Sequence, residues 1–571
     1  MAVCSTFTLA DRGQYAPLYR MLRAFFIHLS GALLLISCGG ERSQQPTLDV
    51  AEQAIEISKV FETEEAYSVR RLDSSDIELF LVNYPQYRTD TSGIRQFYQR
   101  RRYQYAWFVN DSLSQSALGF FDLVNTADTA FREVRTLRDR MRDLLLSTRP
   151  SGGTALCDSC QLHLELALTA QFFGLAEKKY GGVVGKDLRE LDWFIPRRKK
   201  DLSRLIDSLA AGTMDLSPLE PVHPQYEQLK AHLRKYHLLD SLSTWSAISL
   251  GELRKLEFGQ RSPAVPDIRQ RLMLLGDLTT SGDTLWMNSP VYDSTVVMAI
   301  QRFQLRHGLH SDGVIGTGVV TALNTTPSAR LRTMLVNMER LRWVQEEYAP
   351  DQILVNIPEF KLHVFEHGEE VMSMDVVVGT VATRTVIFSD SLSQIVFSPT
   401  WTIPRSIVQG EILPAMARDP NYLRKKGMEQ IGGSAANPII RQRPGAGNAL
   451  GRVKFLFPNS YSIYFHDTPS KGGFAREKRA FSHGCIRLSQ PAALAEYLLR
   501  SDTAWTPERI REAMYSGKEK YVRLPRKRPV SIGYFTAWVD AKGLLHFRDD
   551  VYGHDERLAN ELFTPAISEL H

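Results

Sequence analysis

The sequence predicts a multidomain α+β protein with a helical scaffold, a small three-helix domain and a mainly-β domain, in that order. Its 571 residues exceed what one hydrophobic core usually organises, so several domains are expected. Between about residues 60 and 255, apolar side chains recur at spacings of three and four, which is the period of a helix. From residue 352 the period changes to two, which is typical of strands.

The composition is that of a folded protein. Apolar residues make up 43% of the chain and charged residues 23%, both ordinary values for globular domains. The 69 Lys and Arg residues against 64 Asp and Glu residues leave a net charge of +5. No long basic run is interleaved with aromatic residues, which argues against nucleic acid as a partner.

The N-terminus has the layout of an export signal. Two arginines precede the apolar run of residues 25–36, which is too short and too interrupted for a membrane span. The run ends at Cys38 followed by two glycines, which resembles a bacterial lipobox with a lipidated cysteine. We therefore expect residues 1–38 to be a lipoprotein-type signal, with Met21 as a possible true start, and residues 39–59 to be a tether. An ordinary signal peptide or a membrane anchor is the alternative.

A lipoprotein signal implies a periplasmic protein held at a membrane by lipid. The lack of Asp after Cys38 favours the outer membrane. In an oxidising compartment Cys157 and Cys160 can pair with each other, although an inert pair is the alternative. Cys4 would be removed with the signal, so Cys485 is left as a lone thiol that needs an explanation.

Residues 60–255 are predicted to form the helical scaffold. Within YEQLKAHLRKYHLL, four apolar or aromatic residues share one helical face: Tyr226, Leu229, Leu233 and Tyr236. Residues 263–326 differ, because AIQRFQLRHGL followed by DGVIG resembles the small three-helix peptidoglycan-binding domain. Its second helix should end at Gly308, which can adopt the left-handed conformation of a helix cap. A generic three-helix bundle is the alternative.

Residues 350–525 are predicted to form the mainly-β domain, with a hairpin turn at His367-Gly368 and two helices after residue 490. Residues 526–571 are expected to form a C-terminal hairpin and tail, because YFTAWVD and LLHFRD flank the turn AKG.

The candidate chemistry lies in this mainly-β domain, where Ser482-His483-Gly484-Cys485 is followed by Arg487. A thiol must lose its proton before it attacks, and an adjacent imidazole can take it. Gly484 allows a tight turn that frees backbone N–H groups for an oxyanion. The planar guanidinium of Arg487 suits a carboxylate. These residues together indicate acyl transfer on an acidic peptide.

The full string is more specific than a Cys-His pair. His466, fifteen further residues and then S-H-G-C-x-R, set among predicted strands, is identified as the signature of the L,D-transpeptidase catalytic domain. SPTWTIPRSI, EILPAMARDPNYL and PGAGNALGRVKFLFPNSYSIYFHDTPSK resemble the large Gram-negative members, which also carry a helical scaffold and a peptidoglycan-binding domain. Two features depart from the family: Thr383-Arg-Thr385-Val386 lacks the usual proline, and residues 424–443 are short for a capping subdomain.

The resemblance implies roles for individual residues. Cys485 would be the nucleophile and His466 its general base, oriented by the backbone carbonyl of Asp467. His483 and Gly484 would shape the oxyanion region. The expected substrate contacts are Tyr464, Ser482, Arg487 and Trp401. We also expect His466 to lower the pKa of the Cys485 thiol.

The implied activity is that of a peptidoglycan L,D-transpeptidase that forms 3-3 cross-links between stem peptides through a cysteine acyl-enzyme. Its partners would be the donor and acceptor stems, and no metal or organic cofactor is expected. Two alternatives are hydrolases. One is an L,D-carboxypeptidase that trims tetrapeptide stems, and the other is a papain-like protease, which would need its cysteine at a helix N-terminus. The last alternative is a non-catalytic wall-binding lipoprotein.

Overall fold

The computed structural model describes residues 70–563, except residues 89, 110–111, 127–157, 178–181, 183–186, 196–201, 211–222, 243–244, 280–283 and 345–349. The predicted signal, the lipidation site at Cys38 and the tether lie outside the described residues, as does Cys157. Cys160 is disulfide-bonded. None of the described helices is both long and apolar enough to cross a membrane.

The first region of the described chain is helical, as the spacing of its apolar residues predicts. Its helices are α1 Ser74–Asn83, α2 Thr91–Arg100, α3 Gln115–Thr126, α4 Asp158–Ala176, α5 Leu202–Ala210 and α6 Pro224–Leu242. The short strands β1 Phe108–Val109 and β2 Ser112–Leu113 pair between α2 and α3. Almost the whole of α4 is buried, because α1, α2 and α5 pack around it.

A buried carboxylate ties this scaffold together. Glu165 of α4 accepts the N–H groups of Ala106 and Trp107 at 2.6 and 3.0 Å and the Tyr98 hydroxyl at 2.9 Å. Burial raises the pKa of Glu165 to about 7, and these hydrogen bonds only partly oppose that rise. The interior of the scaffold therefore contains a carboxyl group that titrates near neutrality.

The predicted three-helix domain contains its expected helices and one additional short helix. They are α7 Val265–Leu275, α8 Thr284–Met287, α9 Ser294–Arg306 and α10 Thr317–Asn324. The apolar face of α9, which contains Val296, Ala299, Ile300 and Phe303, is fully buried. Gly308 beyond its end has a φ of +67°, as expected. Helix α11, Pro327–Trp343, leads to the next domain and packs against the predicted face of α6, which is also buried.

The mainly-β region forms a nine-stranded sheet. Its strands are β3 Gln352–Asn356, β4 Lys361–Glu366, β5 Glu369–Gly379, β6 Phe388–Phe397, β10 Val453–Leu456, β11 Phe465–His466, β12 Ala480–Ser482, β13 Ile486–Leu488 and β14 Lys520–Gly533. The order is β12-β5-β13-β11-β10-β6-β14-β3-β4, and β4 also pairs with β5, so the sheet closes on itself. The predicted hairpin turn at His367-Gly368 joins β4 to β5.

A second, smaller sheet is inserted between β6 and β10. It contains β7 Trp401–Thr402, β8 Met428–Gly433 and β9 Pro438–Gln442 in the order β7-β9-β8. A helical stretch runs through α12 Arg405–Ile407, a π-helical turn Val408–Ile412, α13 Leu413–Arg418 and α14 Tyr422–Lys425. This cap, residues 401–442, has its own apolar core around Ile403, Val408, Ile412 and Ile440. The stretch 424–443 is short, but with the preceding helices it still builds a compact subdomain.

The C-terminal part differs from expectation at its start. Helices α15 Pro491–Leu499 and α16 Pro507–Tyr515 precede β14, which crosses the predicted boundary at residue 525 and ends at Gly533. The boundary is displaced because β14 continues into a parallel pairing with β3. The expected hairpin follows as β15 Ala537–Val539 and β16 Leu545–Phe547, and then comes an unpredicted helix, α17 His554–Phe563. The side chains of Gln225 and Arg306 hydrogen-bond to the backbone of the hairpin at Val539 and Leu545, so the hairpin packs against the helical domains.

Candidate active site

Cys485 lies in the turn between β12 and β13. Gly484 has a φ of +109°, a conformation that L side chains rarely adopt, so this turn requires glycine. Ser482 closes the turn, because its hydroxyl donates to the Cys485 carbonyl at 2.6 Å and accepts the Gly484 N–H at 3.1 Å. Ser482 is buried, and its hydroxyl is engaged within the turn. It was predicted to contact substrate, but in the structure it shapes the turn. A cysteine between two strands also lacks the helix N-terminus of a papain-like enzyme.

The register of the central strands brings the predicted residues to one face. Strand β11 runs parallel to β13 with His466 opposite Arg487, and the Ile486 N–H donates to the Tyr464 carbonyl at 3.2 Å. Because side chains alternate along a strand, Tyr464 and His466 share a face with Cys485 and Arg487. The opposite face carries buried apolar side chains of the sheet core: Phe455, Phe465 and Ile486.

His466 is buried and has a defined tautomer. Its Nδ1 donates to the backbone carbonyl of Asp467 at 2.5 Å, as the family resemblance implies, so the lone pair is on Nε2. Burial lowers the pKa of His466 to about 4, and the positive charge of Arg487 acts in the same direction. The imidazole is therefore neutral at physiological pH and able to accept a proton.

The Cys485 thiol is half-buried and is in no disulfide bond. Its Sγ lies 3.5 Å from the Ser462 carbonyl oxygen and also contacts Tyr464. Burial raises the pKa of the Cys485 thiol, and hydrogen bonds from Tyr464 and the charge of Arg487 offset only part of this rise. Within the described structure no hydrogen bond joins His466 to the thiol. The expectation that His466 lowers the thiol pKa in the resting site is therefore wrong: burial dominates.

Two cationic residues lie on the strands on either side of His466. Arg487 forms no ion pair with any described residue, and its Nε is buried without a hydrogen-bond partner. Lys454 lies directly opposite His466 on β10, so the two share a face. The Lys454 ammonium lies 3.5 Å from the Thr400 carbonyl oxygen, and burial lowers its pKa although the Glu519 carboxylate opposes this shift. Lys454 was not predicted from the sequence, because only the pairing of β10 with β11 places it here.

The cap reaches the catalytic turn through His483. The His483 Nε2 lies 2.8 Å from the Glu411 carboxylate in the π-helical turn of the cap, and both side chains are exposed. Glu411 therefore engages the His483 imidazole, and the expected role of His483 in the oxyanion region stays a prediction. Trp401, the first residue of the cap, hydrogen-bonds to the Tyr464 side chain. The predicted substrate residues Trp401 and Tyr464 thus meet where the cap adjoins the sheet.

Two backbone amides of the turn remain available. The Gly484 N–H already donates to Ser482, whereas the N–H groups of His483 and Cys485 have no acceptor among the described residues. Such an amide beside the nucleophile can stabilise an oxyanion. In the same described part of the chain, no three His, Cys, Asp or Glu side chains are grouped to hold a metal ion.

Comparison with protein families assigns three regions. Residues 350–533 match the L,D-transpeptidase catalytic domain, residues 92–233 a scaffold domain, and residues 261–323 a family described as "Putative peptidoglycan binding domain". The chain therefore carries an L,D-transpeptidase catalytic domain together with a scaffold and a peptidoglycan-binding domain. This is the domain set that the sequence resemblance predicts.

A curated relative from Haemophilus influenzae carries the name "Putative L,D-transpeptidase". It is 32% identical over 240 residues, which cover 39% of this chain and 48% of the relative, so the chain spans about half the length of that protein. Solved L,D-transpeptidases are more distant. One from Mycobacterium smegmatis shares 14% identity at a TM-score of 0.18 and covers 32% of this chain and 58% of its own. One from Xylanimonas cellulosilytica shares 15% identity at a TM-score of 0.17, and the match covers 50% of this chain and 100% of its own.

Proposed function

We propose that this protein is a peptidoglycan L,D-transpeptidase that forms 3-3 cross-links between stem peptides through an acyl-enzyme on Cys485. The observation that carries the proposal is the strand register, which places Cys485, a neutral His466 and an unpaired Arg487 on one face. A nucleophile, a base and a carboxylate anchor are the groups that acyl transfer on an acidic peptide requires.

The first step transfers the donor stem to sulfur. As Cys485 Sγ attacks the carbonyl carbon of the third stem residue, His466 Nε2 takes the thiol proton. The Cys485 N–H stabilises the oxyanion. The C–N bond to the terminal D-alanine then breaks, and His466 returns the proton to the leaving amine. Because the thiol pKa is raised and the imidazole pKa is lowered, proton transfer accompanies the attack rather than preceding it.

The second step transfers the acyl group to an acceptor. The amine of a neighbouring stem attacks the thioester, the C–S bond breaks, and the thiol regains its proton from the amine through His466. Stem peptides are acidic, and Arg487 offers positive charge beside His466, while Lys454 lies on the neighbouring strand. Arg487 supplies planar donors for a carboxylate, whereas Lys454 supplies a point charge.

The remaining domains have supporting roles in this proposal. Residues 263–326 dock the enzyme on the wall, and the scaffold holds the two domains together. Lipid on Cys38 anchors the mature protein in the periplasm, with the outer membrane favoured. Mass analysis of the mature N-terminus tests the anchor: a diacylated Cys38 supports it, and an unmodified N-terminus elsewhere excludes it.

The decisive experiment uses defined tetrapeptide muropeptides and mass analysis of the products. Cross-linking gives dimers together with released D-alanine, and Cys485→Ser should give neither. Tripeptide products without dimers would identify a carboxypeptidase instead. Binding to sacculi with no product from the wild type would support the non-catalytic alternative.

A further inference from the structure

The backbone of the catalytic turn is held by hydroxyl groups from a neighbouring loop. This loop, residues 380–385, follows β5 and is called the clamp loop here. Its Thr385 hydroxyl donates to the Gly484 carbonyl at 2.8 Å, and its Thr383 hydroxyl donates to the Ser482 carbonyl at 2.9 Å. Thr385 is fully buried and also accepts the Gly379 N–H at 2.9 Å, so its hydroxyl is fixed on both sides.

The Gly484 carbonyl and the Cys485 N–H belong to one peptide unit. No cis peptide bond occurs in the described chain, so this unit is planar and trans, and its C=O and N–H point in opposite directions. A hydrogen bond that fixes the carbonyl oxygen therefore also fixes the direction of the N–H. That N–H is the amide of the nucleophile itself and has no acceptor among the described residues. Thr385 thus fixes the direction in which the oxyanion-donating N–H points, without touching the substrate.

The clamp loop is itself held by residues outside the catalytic-domain match, which ends at residue 533. The hydroxyl of buried Tyr552 donates to the Gly379 carbonyl at 2.7 Å and accepts the Thr385 N–H at 3.3 Å. On the exposed side, Arg384 pairs with Asp192 of the scaffold at 3.0 Å. The C-terminal segment and the scaffold therefore both brace the loop that holds the catalytic turn.

We propose that Thr385 and Tyr552 are positioning residues for acyl transfer, which orient the Cys485 N–H toward the oxyanion through the Gly484 carbonyl. The C-terminal segment after residue 533 is then a working part of the active site. This inference rests on the proposed nucleophile, and it needs a test that does not depend on the natural substrate.

Two reagents distinguish stabilisation of the oxyanion from the reactivity of the thiol. p-Nitrophenyl acetate acylates sulfur through a tetrahedral oxyanion, forming a thioester and releasing p-nitrophenolate. Iodoacetamide alkylates sulfur by displacing iodide, with no oxyanion. The adduct on Cys485 is followed by intact mass on the full chain, and Cys485→Ser corrects for reaction elsewhere. The ratio of the two rates reports oxyanion stabilisation alone.

Thr385→Val should lower the acylation rate by roughly 10- to 100-fold, below the 10²–10³ typical of a deleted oxyanion donor, and leave alkylation unchanged. Thr385→Ser keeps the hydroxyl and should restore the ratio. Tyr552→Phe should lower the ratio in the same direction. The matched control is Tyr292→Phe, which removes another buried hydroxyl, bonded to the Gly313 carbonyl of the three-helix domain at 2.5 Å, and should leave the ratio unchanged.

Equal losses in acylation and alkylation for Thr385→Val would show a merely structural role and overturn the inference, as would a failure of Thr385→Ser to restore the ratio. Unfolding temperatures of all four variants identify losses due to misfolding. A wild type that is acylated by p-nitrophenyl acetate but inactive on muropeptides would overturn the proposed function while the ratio still tests the positioning.

Discussion

The Nδ1 proton of His466 is donated to the backbone carbonyl of Asp467 at 2.5 Å, and this one bond decides which imidazole nitrogen can act as a base. Asp467 is fixed in turn, because its carboxylate accepts the Arg452 N–H at 2.8 Å and the Lys471 ammonium at 2.7 Å. The base is therefore oriented by backbone geometry rather than by a carboxylate partner.

The two histidines near Cys485 should respond differently to mutation. His466→Ala should lower turnover by roughly 10²–10⁴, the usual range for a lost general base. His483→Ala removes only the exposed contact with Glu411 and should change turnover much less. Steady-state kinetics on muropeptides measure both. A larger loss in the His483 variant would mean that the roles are exchanged.

The pH dependence of thiol alkylation checks the resting state of the site. Because burial raises the pKa of Cys485, iodoacetamide alkylation of the wild type should rise with a midpoint above the unperturbed value of about 8.5. A neutral His466 does not stabilise the thiolate, so His466→Ala should keep an alkaline profile. A wild-type midpoint near 6 would reveal a preformed thiolate–imidazolium pair and contradict this description.

Gly451 should be intolerant of a side chain. It has a φ of +63°, and an added Cβ would lie 2.4 Å from the Asp467 carboxylate. Gly451→Ala should cost roughly 1–3 kcal/mol of stability and reduce kcat, because Asp467 also carries the carbonyl that orients His466. Gly517→Ala is the control: its φ is +68°, but nothing lies within 4 Å. Equal effects of the two variants on kcat would exclude displacement of Asp467 as the cause.

Arg487 should govern affinity for the acidic donor. Replacing it by Gln removes a charge-assisted hydrogen bond worth roughly 1.5–3 kcal/mol, so KM for a free-carboxylate donor should rise about 10- to 100-fold. A donor with its carboxylates amidated should show little further loss. Arg526→Gln, an exposed cation on β14, serves as the control. The proposed contact would be disproved by equal losses on both donors.

The scaffold should lose stability as the pH rises. The folded-state pKa of Glu165 is about 7, above the unfolded value of about 4.3, so its contribution is complete below pH ~4 and is lost as pH rises through about 7. Hydrogen exchange of the α4 amides should therefore quicken between pH ~5 and ~8, after correction for intrinsic rates. Glu165→Gln should flatten this trend, whereas exposed Glu252→Gln should retain it.

The sequence alone predicts those features of the fold and the site that depend on one short segment of the chain. The motif around Gly484 and Cys485 predicts the turn. The periodicity of apolar residues likewise predicts the buried face of α6, and Gly308 predicts the end of α9. These features depend on spacing within a single segment, which a sequence displays directly.

Features that depend on pairing between distant segments were missed. Lys454 joins the site only through the register of β10 with β11, and Glu411 only through the folding of the cap. The raised pKa of the Cys485 thiol follows from burial by the surrounding chain, which the proximity of two histidines in sequence does not reveal. Thr385 belongs to a departure from the family pattern, but its bond to Gly484 joins two distant segments and is not visible in the sequence.

Strand β14 has a consequence for the order in which the protein assembles. It fills the gap between β6 and β3, pairing Val530 with Ile353 near the other end of the domain. Until β14 has paired, β6 and β3 each have an unpaired edge, and such edges can associate with other chains. Such distant pairing is slow, and synthesis delivers β14 and Tyr552 after the Cys485 motif. We therefore expect a nascent chain to contain its complete Cys485 motif well before that motif is competent, which delays reactivity until the domain has closed.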